Sequence, residues 1–343
     1  MNRGRAAGVI LFFLVWAVIF TYPLVLHLGD SVILSGGGDV YLHLWDLWWA
    51  DKSLIYLHQS PFHSTYLYYP TGVSLYYHSL DLINGLISIP LQWLLGLTTT
   101  FNLLVLANLT FDGAAAYGLC KERTSSTGAA FVGGALFASA PLMGTSLNLG
   151  QLDELTAWAI PLYLIALWRI LETPGKPWQK GGGRRATICA GLALACASLA
   201  TWYFTAGLAL FTVIFVPLYI WNQRRTTANQ PVEEKPTTST FLYTTIKLVA
   251  AVILMTIILS PLMWGMIRER LSGQTNMLPS FETTYSNSTD LAGLFLPART
   301  EITAISEHGS NVALGWVALL LGGVGLFVKR RQSWPILAAL AVI

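Results

Sequence analysis

Residues 6–28 read AAGVILFFLVWAVIFTYPLVLHL, twenty-three positions without one Asp, Glu, Lys or Arg. A helix rises 1.5 Å per residue, so about 20 apolar residues cross the hydrocarbon core of a bilayer. Comparable runs recur at 100–119, 127–147, 155–172, 186–202, 203–221, 246–264 and 311–328, and another opens near Trp334. A water-soluble core cannot cover so many helices that are apolar on every side. Charged residues make up only 11% of the 343 positions, against roughly 25% in soluble domains. The expected fold is therefore an all-α polytopic membrane protein, one transmembrane domain over 1–343. The first run follows MNRGR, as a signal peptide would. It is nevertheless long enough to span and lacks a small-x-small cleavage site, so it is read as an uncleaved first helix. The last run is only ten residues long at Ile343, and further spans are expected to follow it.

Charge sets the expected orientation. The stretch 82–97 is apolar but carries Asn84, Pro90 and Gln92, and Pro90 is expected to break it. If this stretch does not cross, sixteen of the twenty Lys and Arg residues fall on one side, as positive-inside bias requires. If it crosses, the later basic clusters change sides. The reading is thus a cytoplasmic N-terminus, with 82–97 re-entrant or interfacial in a long first extracytoplasmic loop, 29–99. A second long outer loop covers 265–310. The outer side then holds all six histidines and twelve of the seventeen acids. Long loops carry sites, so chemistry is expected outside. A net charge of +3 without a basic block argues against a nucleic-acid partner. The segment 226–240, TTANQPVEEKPTTST, reads as a polar linker. Cys120, Cys189 and Cys196 have neither zinc nor redox spacing and read as small packing residues.

Within the first outer loop, residues 36–49 read GGGDVYLHLWDLWW. At 100° per residue Asp39, His43, Asp46, Ala50 and Ser53 share a narrow stripe. The spacing predicts an interfacial helix over 39–58, with Asp39 as its N-cap and Trp45, Trp48 and Trp49 at headgroup depth. Further on, a basic turn YGLCKERTSS (117–126) is followed by GAAFVGGALFASAP (128–141) and an outward LNLGQLDEL (147–155) carrying Asp153 and Glu154.

This succession resembles the GT-C class of glycosyltransferases, over about 170 residues of layout. The resemblance implies a GT-C-like transmembrane helix bundle. It also implies inverting transfer of a sugar from a polyprenyl-phosphate donor to an acceptor glycan, lipid or protein in the cell envelope. Asp39 matches the first-loop acid that acts as base or orients the acceptor, and Asp153 or Glu154 matches the second acidic cluster. Val40 stands where many relatives carry a second acid, and neither loop holds a DxD, so a divalent metal is left open and no cofactor is assigned.

On physical grounds, such a transfer needs a base for the acceptor and cations for the departing phosphate. Asp39 or Asp46 is the candidate base with His43 as proton partner, supported by Asp153, Glu154 and His78. Arg268, Arg270 and Arg299, basic residues on the outer side, are the candidate phosphate ligands. His78, Ser79 and Asp81 lie just before 82–97 and are placed at the same cavity. Tyr66, Tyr68, Tyr69, Tyr76 and Tyr77 are candidates for sugar stacking or an interfacial belt. Asn287-Ser288-Thr289 fits a glycosylation sequon. Asp112, in mid-span one turn after Asn108, is read either as a functional intramembrane acid or as a hydrogen-bond partner for a neighbouring helix. Two rivals follow: a transporter or flippase for a lipid-linked substrate centred on Asp112, and a non-catalytic membrane subunit with a GT-C-like shell.

Overall fold

The computed structural model describes residues 3–33, 39–173, 175, 181, 183–226, 238–272, 315–328, 334–336 and 339. Five helices are long and apolar enough to cross a membrane, and the strands among the described residues amount to one two-residue pair. This is the coarse all-α membrane architecture expected. The chain divides into two compact units, one from Met1–Trp158 and Leu259–Trp316, the other from Ala159–Ile258 and Val317–Ile343.

The first unit opens with α1 (Arg3–Phe20). The apolar run continues to Leu28, but the helix stops before Pro23, which has no N–H to continue the ladder. A short 3₁₀ turn, Leu24–Leu26, follows. Next come α2 (Asp39–Asp51), a π-type turn (Lys52–Tyr56), and the antiparallel pair β1 (His63–Ser64) and β2 (Val73–Ser74). The stretch 82–97 forms α3 (Leu82–Leu95) and runs through Pro90 rather than breaking there. It ends at Gly96, whose φ of +79° is costly for any residue with a Cβ, and α4 (Leu97–Thr124) starts at once. The expected span 127–147 is one of the five candidate crossings, Thr127–Leu149, interrupted at Ser139–Ala140 into α5 (Thr127–Ala138) and α6 (Pro141–Leu149). Ala140 is forced into an extended conformation, ψ 149°, by the proline after it, and Pro141 then starts the new helix.

Helices α1, α4 and α5 pack around Phe13, which is fully buried among Val9, Tyr117 and Ala130. Gly113 and Gly134 make the room: a Cβ on either would run into the Phe13 ring, and one on Gly134 would stand 2.5 Å from the Gly113 carbonyl. Small residues letting membrane helices approach is the expected packing mode.

The second unit contains α7 (Ala159–Glu172), α8 (Arg184–Ala200), α9 (Trp202–Thr226) and α10 (Thr238–Leu271) up to Ile258, with α11 (Trp316–Val328) from Val317. With 14 and 17 residues, α7 and α8 fall short of the roughly 20 that cross a bilayer unaided. The expected span 155–172 is shortened because Leu152–Leu155 and Ala157–Trp158 are turns. Lys247 is buried and its Nζ donates to the Thr173 carbonyl just beyond α7, at 2.6 Å. Residues 227–237 of the expected linker, 273–310 of the expected second outer loop, 311–314 of the expected span after it and most of the run after Trp334 lie outside the described residues.

Candidate functional site

The site lies in the first unit and is built on α2. Asp39 stands in the first turn, inside the helix rather than flanking it as a cap, where a carboxylate favours the helix dipole. The polar stripe Asp39–His43–Asp46–Ala50–Ser53 is real, but it faces inward: His43, Asp46, Ala50 and Ser53 are all buried. Of the three tryptophans, Trp49 is buried with this stripe, while Trp45 and Trp48 are half-buried. Trp49 is 0% exposed, packed with Leu75 and Leu80, and its Nε1 donates to the Pro61 carbonyl at 2.8 Å. Trp45 stacks on Trp49, and Tyr66 packs on Trp48 and Trp49. These indoles hold the 62–80 loop onto α2. That loop is what delivers His78.

The second acidic segment arrives from the far end of α6. Gly150 takes φ +76°, and a Cβ there would stand 2.8 Å from Val40 Cα and closer still to Val40 Cβ. This close approach lets Gln151 Nε2 donate to Asp39 Oδ2 at 2.9 Å. One turn deeper, His43 Nε2 lies 3.2 Å from Asp153 Oδ1, while His43 Nδ1 faces Asp46 Oδ2 at 3.8 Å. His78 Nε2 lies 3.1 Å from Asp46 Oδ1. Glu154 is half-buried and its Oε2 accepts from Ser146 Oγ at 2.7 Å.

Asp81 closes the inner side. Its Oδ2 accepts from Asn84 Nδ2 at 2.7 Å, which also donates to Thr156 Oγ1 at 2.7 Å. Asn108 Nδ2 donates to Asn84 Oδ1 at 3.1 Å, and Trp158 Nε1 donates to Asn108 Oδ1 at 3.1 Å. The polar breaks in two apolar runs, Asn84 and Asn108, are thus one buried network beside the acids.

Electrostatics follow from this crowding. Burial alone would lower the His43 pKa, but the Asp153 hydrogen bond and charge, then the charges of Asp81 and Asp46, outweigh it and raise it. Burial pushes Asp46 up against the opposing pull of His78 and His43. Asp81, wholly buried, is pushed up to about 7. Glu154 is raised by burial, with Ser146 opposing. Burial thus favours the protonated forms of Asp46 and Asp81 in the interior, whereas Asp39 and Glu154 form its half-exposed edge.

The structure thus gathers Asp39, His43, Asp46, His78, Asp153 and Glu154. Arg268 and Arg270 are exposed in the last turn of α10. That end of the helix packs on the loop carrying His78: Gly265 lies against the Tyr76 ring, Tyr77 Oη donates to the Met266 carbonyl at 2.8 Å, and Ser74 Oγ donates to Glu269. Arg299, His308 and the Asn287 sequon lie outside the described residues. Asp112 is fully buried in α4, and the backbone N–H of Trp158 faces its carboxylate, a polar contact from outside its own helix. Gln151, Ser146 and Thr156 were not singled out from the sequence, where nothing distinguishes them from ordinary turn and helix polar residues. Among the described residues no group of three or more His, Cys, Asp or Glu has the arrangement to hold a metal ion; these side chains are directed at one another instead.

No family model, no curated protein and no solved structure matches the chain. Function must be argued from the site.

Proposed function

We propose that this chain is a membrane glycosyltransferase of the GT-C kind, moving a sugar from a polyprenyl-phosphate donor to an acceptor hydroxyl on the extracytoplasmic face with inversion. The observation that carries the reading is the 2.9 Å contact between Gln151 and Asp39, which joins the first-loop acid to the second acidic segment 112 residues away. Two separate outer segments meet at one half-exposed carboxylate edge, backed by a buried histidine.

Asp39 takes the acceptor proton as the acceptor oxygen forms its bond to the anomeric carbon. The bond from that carbon to the phosphate oxygen breaks, and its electron pair leaves on the phosphate. Gln151 fixes the Asp39 carboxylate, and Asp153 and Glu154 support the acceptor side. Arg268 and Arg270 meet the departing phosphate, with Arg299 assigned to the same task by its sequence position; guanidinium forks match phosphate oxygens well. The arginine turn is tied through Tyr76, Tyr77 and Ser74 to the loop that ends in His78, which couples the phosphate side to the base side.

The test is transfer from a panel of radiolabelled polyprenyl-phosphate hexoses and pentoses in membranes holding the protein. Asp39→Asn should lower turnover by about 10²-fold or more, the usual contribution of a general base. Wild-type-like turnover at normal expression refutes the assignment. The fully buried Asp112 favours transport as the second reading, and donor movement across vesicles without bond change, lost in Asp112→Asn, would replace transfer with it.

A further inference from the structure

Two buried polar atoms of the cluster, His43 Nδ1 and Asp46 Oδ2, have no hydrogen-bond partner and face each other at 3.8 Å. An unmet buried donor or acceptor is costly, so a permanent gap here is an unfavourable arrangement. Both residues are held on their other side. His43 Nε2 is engaged by Asp153 at 3.2 Å, and Asp46 Oδ1 by His78 at 3.1 Å. Four groups therefore stand in a row, Asp153, His43, Asp46 and His78, and each has a second atom for the next transfer. An imidazole accepts a proton on one nitrogen and releases one from the other, and a carboxyl group does the same with its two oxygens. The three inner side chains are at most 8% exposed, while that of His78 is 24% exposed. The row thus leads from the interior to water. Its one open link is about 1 Å longer than a hydrogen bond, a distance that a small ring rotation closes.

We infer that Asp153, His43, Asp46 and His78 form a proton relay that conducts protons between the inner face of the site and solvent at His78. This use of the relay rests on the transferase reading, in which Asp153 supports the acceptor side together with Asp39, and the relay lets Asp153 exchange its proton with solvent. When donor and acceptor cover the Asp39–Glu154 edge, water is excluded there and the relay is the way out. A proton from Asp153 enters His43 at Nε2 and another leaves from Nδ1 to Asp46 Oδ2. Asp46 releases one from Oδ1 to His78 Nε2, and His78 releases one from Nδ1 to water. One proton enters, one leaves, and the tautomers reset by ring and carboxyl rotation. The titratable groups facing the row are Asp39 from α2, Asp81 from the start of α3 and Glu154 from the segment after α6.

Two measurements on the full chain in nanodiscs decide this. The first needs no activity: carbon-13 and nitrogen-15 labelled histidines are titrated, with His43→Gln assigning the His43 signal. Linked groups share their titration, so His78→Gln and Asp46→Asn should each move the His43 midpoint by roughly half a unit or more. A His43 midpoint unchanged in both overturns the relay, and the resolved signals themselves report folding. The second is turnover of His78→Ala, which should fall and recover in millimolar imidazole, as replacing a proton carrier allows and replacing a packing residue does not. A loss without rescue overturns the relay. If the wild-type protein shows no transfer with any donor, the transferase reading falls and the titration alone judges the relay.

Discussion

Replacing Gly150 with alanine tests how the two halves of the site are brought together. Gly150 has φ +76°, and alanine in the left-handed region costs about 1–2 kcal/mol. The added Cβ would also stand 2.8 Å from Val40 Cα and 3.0 Å from Val40 Cγ2, with Val40 Cβ nearer still. Backbone is involved, so relief requires the 149–154 segment to move off α2 by more than half an ångström, and overpacking of this kind costs about 1–3 kcal/mol. The two terms give roughly 2–5 kcal/mol of destabilisation. Gly144→Ala is the internal control: it lies within α6, its Cβ would meet only Phe20 Cζ at 3.9 Å, and alanine there gains about 0.5–1 kcal/mol of helix propensity. Unfolding by SDS in mixed micelles, followed by tryptophan emission, should separate the two variants clearly. The contact predicts coupling too: Gly150→Ala should cost less in a Val40→Gly background, which removes two of the three nearest atoms. Equal stability of Gly150→Ala and Gly144→Ala, or no coupling with Val40, would refute the close-approach argument. Under the transferase reading, Gly150→Ala also lowers turnover, because Gln151 is carried away from Asp39.

Two more expectations follow from the same geometry. Asp81 is an acid raised to about 7 in the folded protein, so between its ordinary value near 3.9 and 7 the native state binds more protons than the unfolded one and stability falls as pH rises. His43, raised above its ordinary value, adds stability below about 6.5 that is lost as pH climbs through its folded value. Asp81→Asn should flatten the decline by up to about 1.4 kcal/mol per pH unit across the Asp81 window; an unchanged slope in unfolding midpoints from pH 4 to 7 would show that Asp81 is not the titrating group. Gly134→Ala should loosen the packing of α1, α4 and α5 by about 1–3 kcal/mol, because its Cβ would meet the Phe13 ring and the Gly113 carbonyl; an unfolding midpoint equal to wild type would argue against this packing.

Much of the architecture is legible locally. Helix length and hydropathy depend on neighbouring residues alone, so the apolar runs at 100–119, 203–221 and 246–264 mark helices that form, and the 100° stripe correctly groups His43 with Asp46. Local grammar also explains where expectation and structure diverge: Pro23 ends α1 early, and Pro141 splits the Gly/Ala-rich segment after Ala140. The direction of the stripe was not legible. An amphipathic helix states which residues share a face, not what covers that face. Of the tryptophans that resemble headgroup anchors, Trp49 is buried under the 62–80 loop, with Trp45 and Trp48 half-buried beside it.

By itself, the sequence determined that apolar helices dominate this protein and singled out two polar segments, Asp39, His43 and Asp46 in one and Asp153 with Glu154 in the other. Only the tertiary structure decided that these segments meet, that Asp39 is held by Gln151, and that His43 lies between Asp153 and Asp46. The reason is physical. Helical periodicity comes from hydrogen bonds four residues apart, whereas contacts spanning more than a hundred residues depend on backbone approach, here set by a left-handed glycine against Val40.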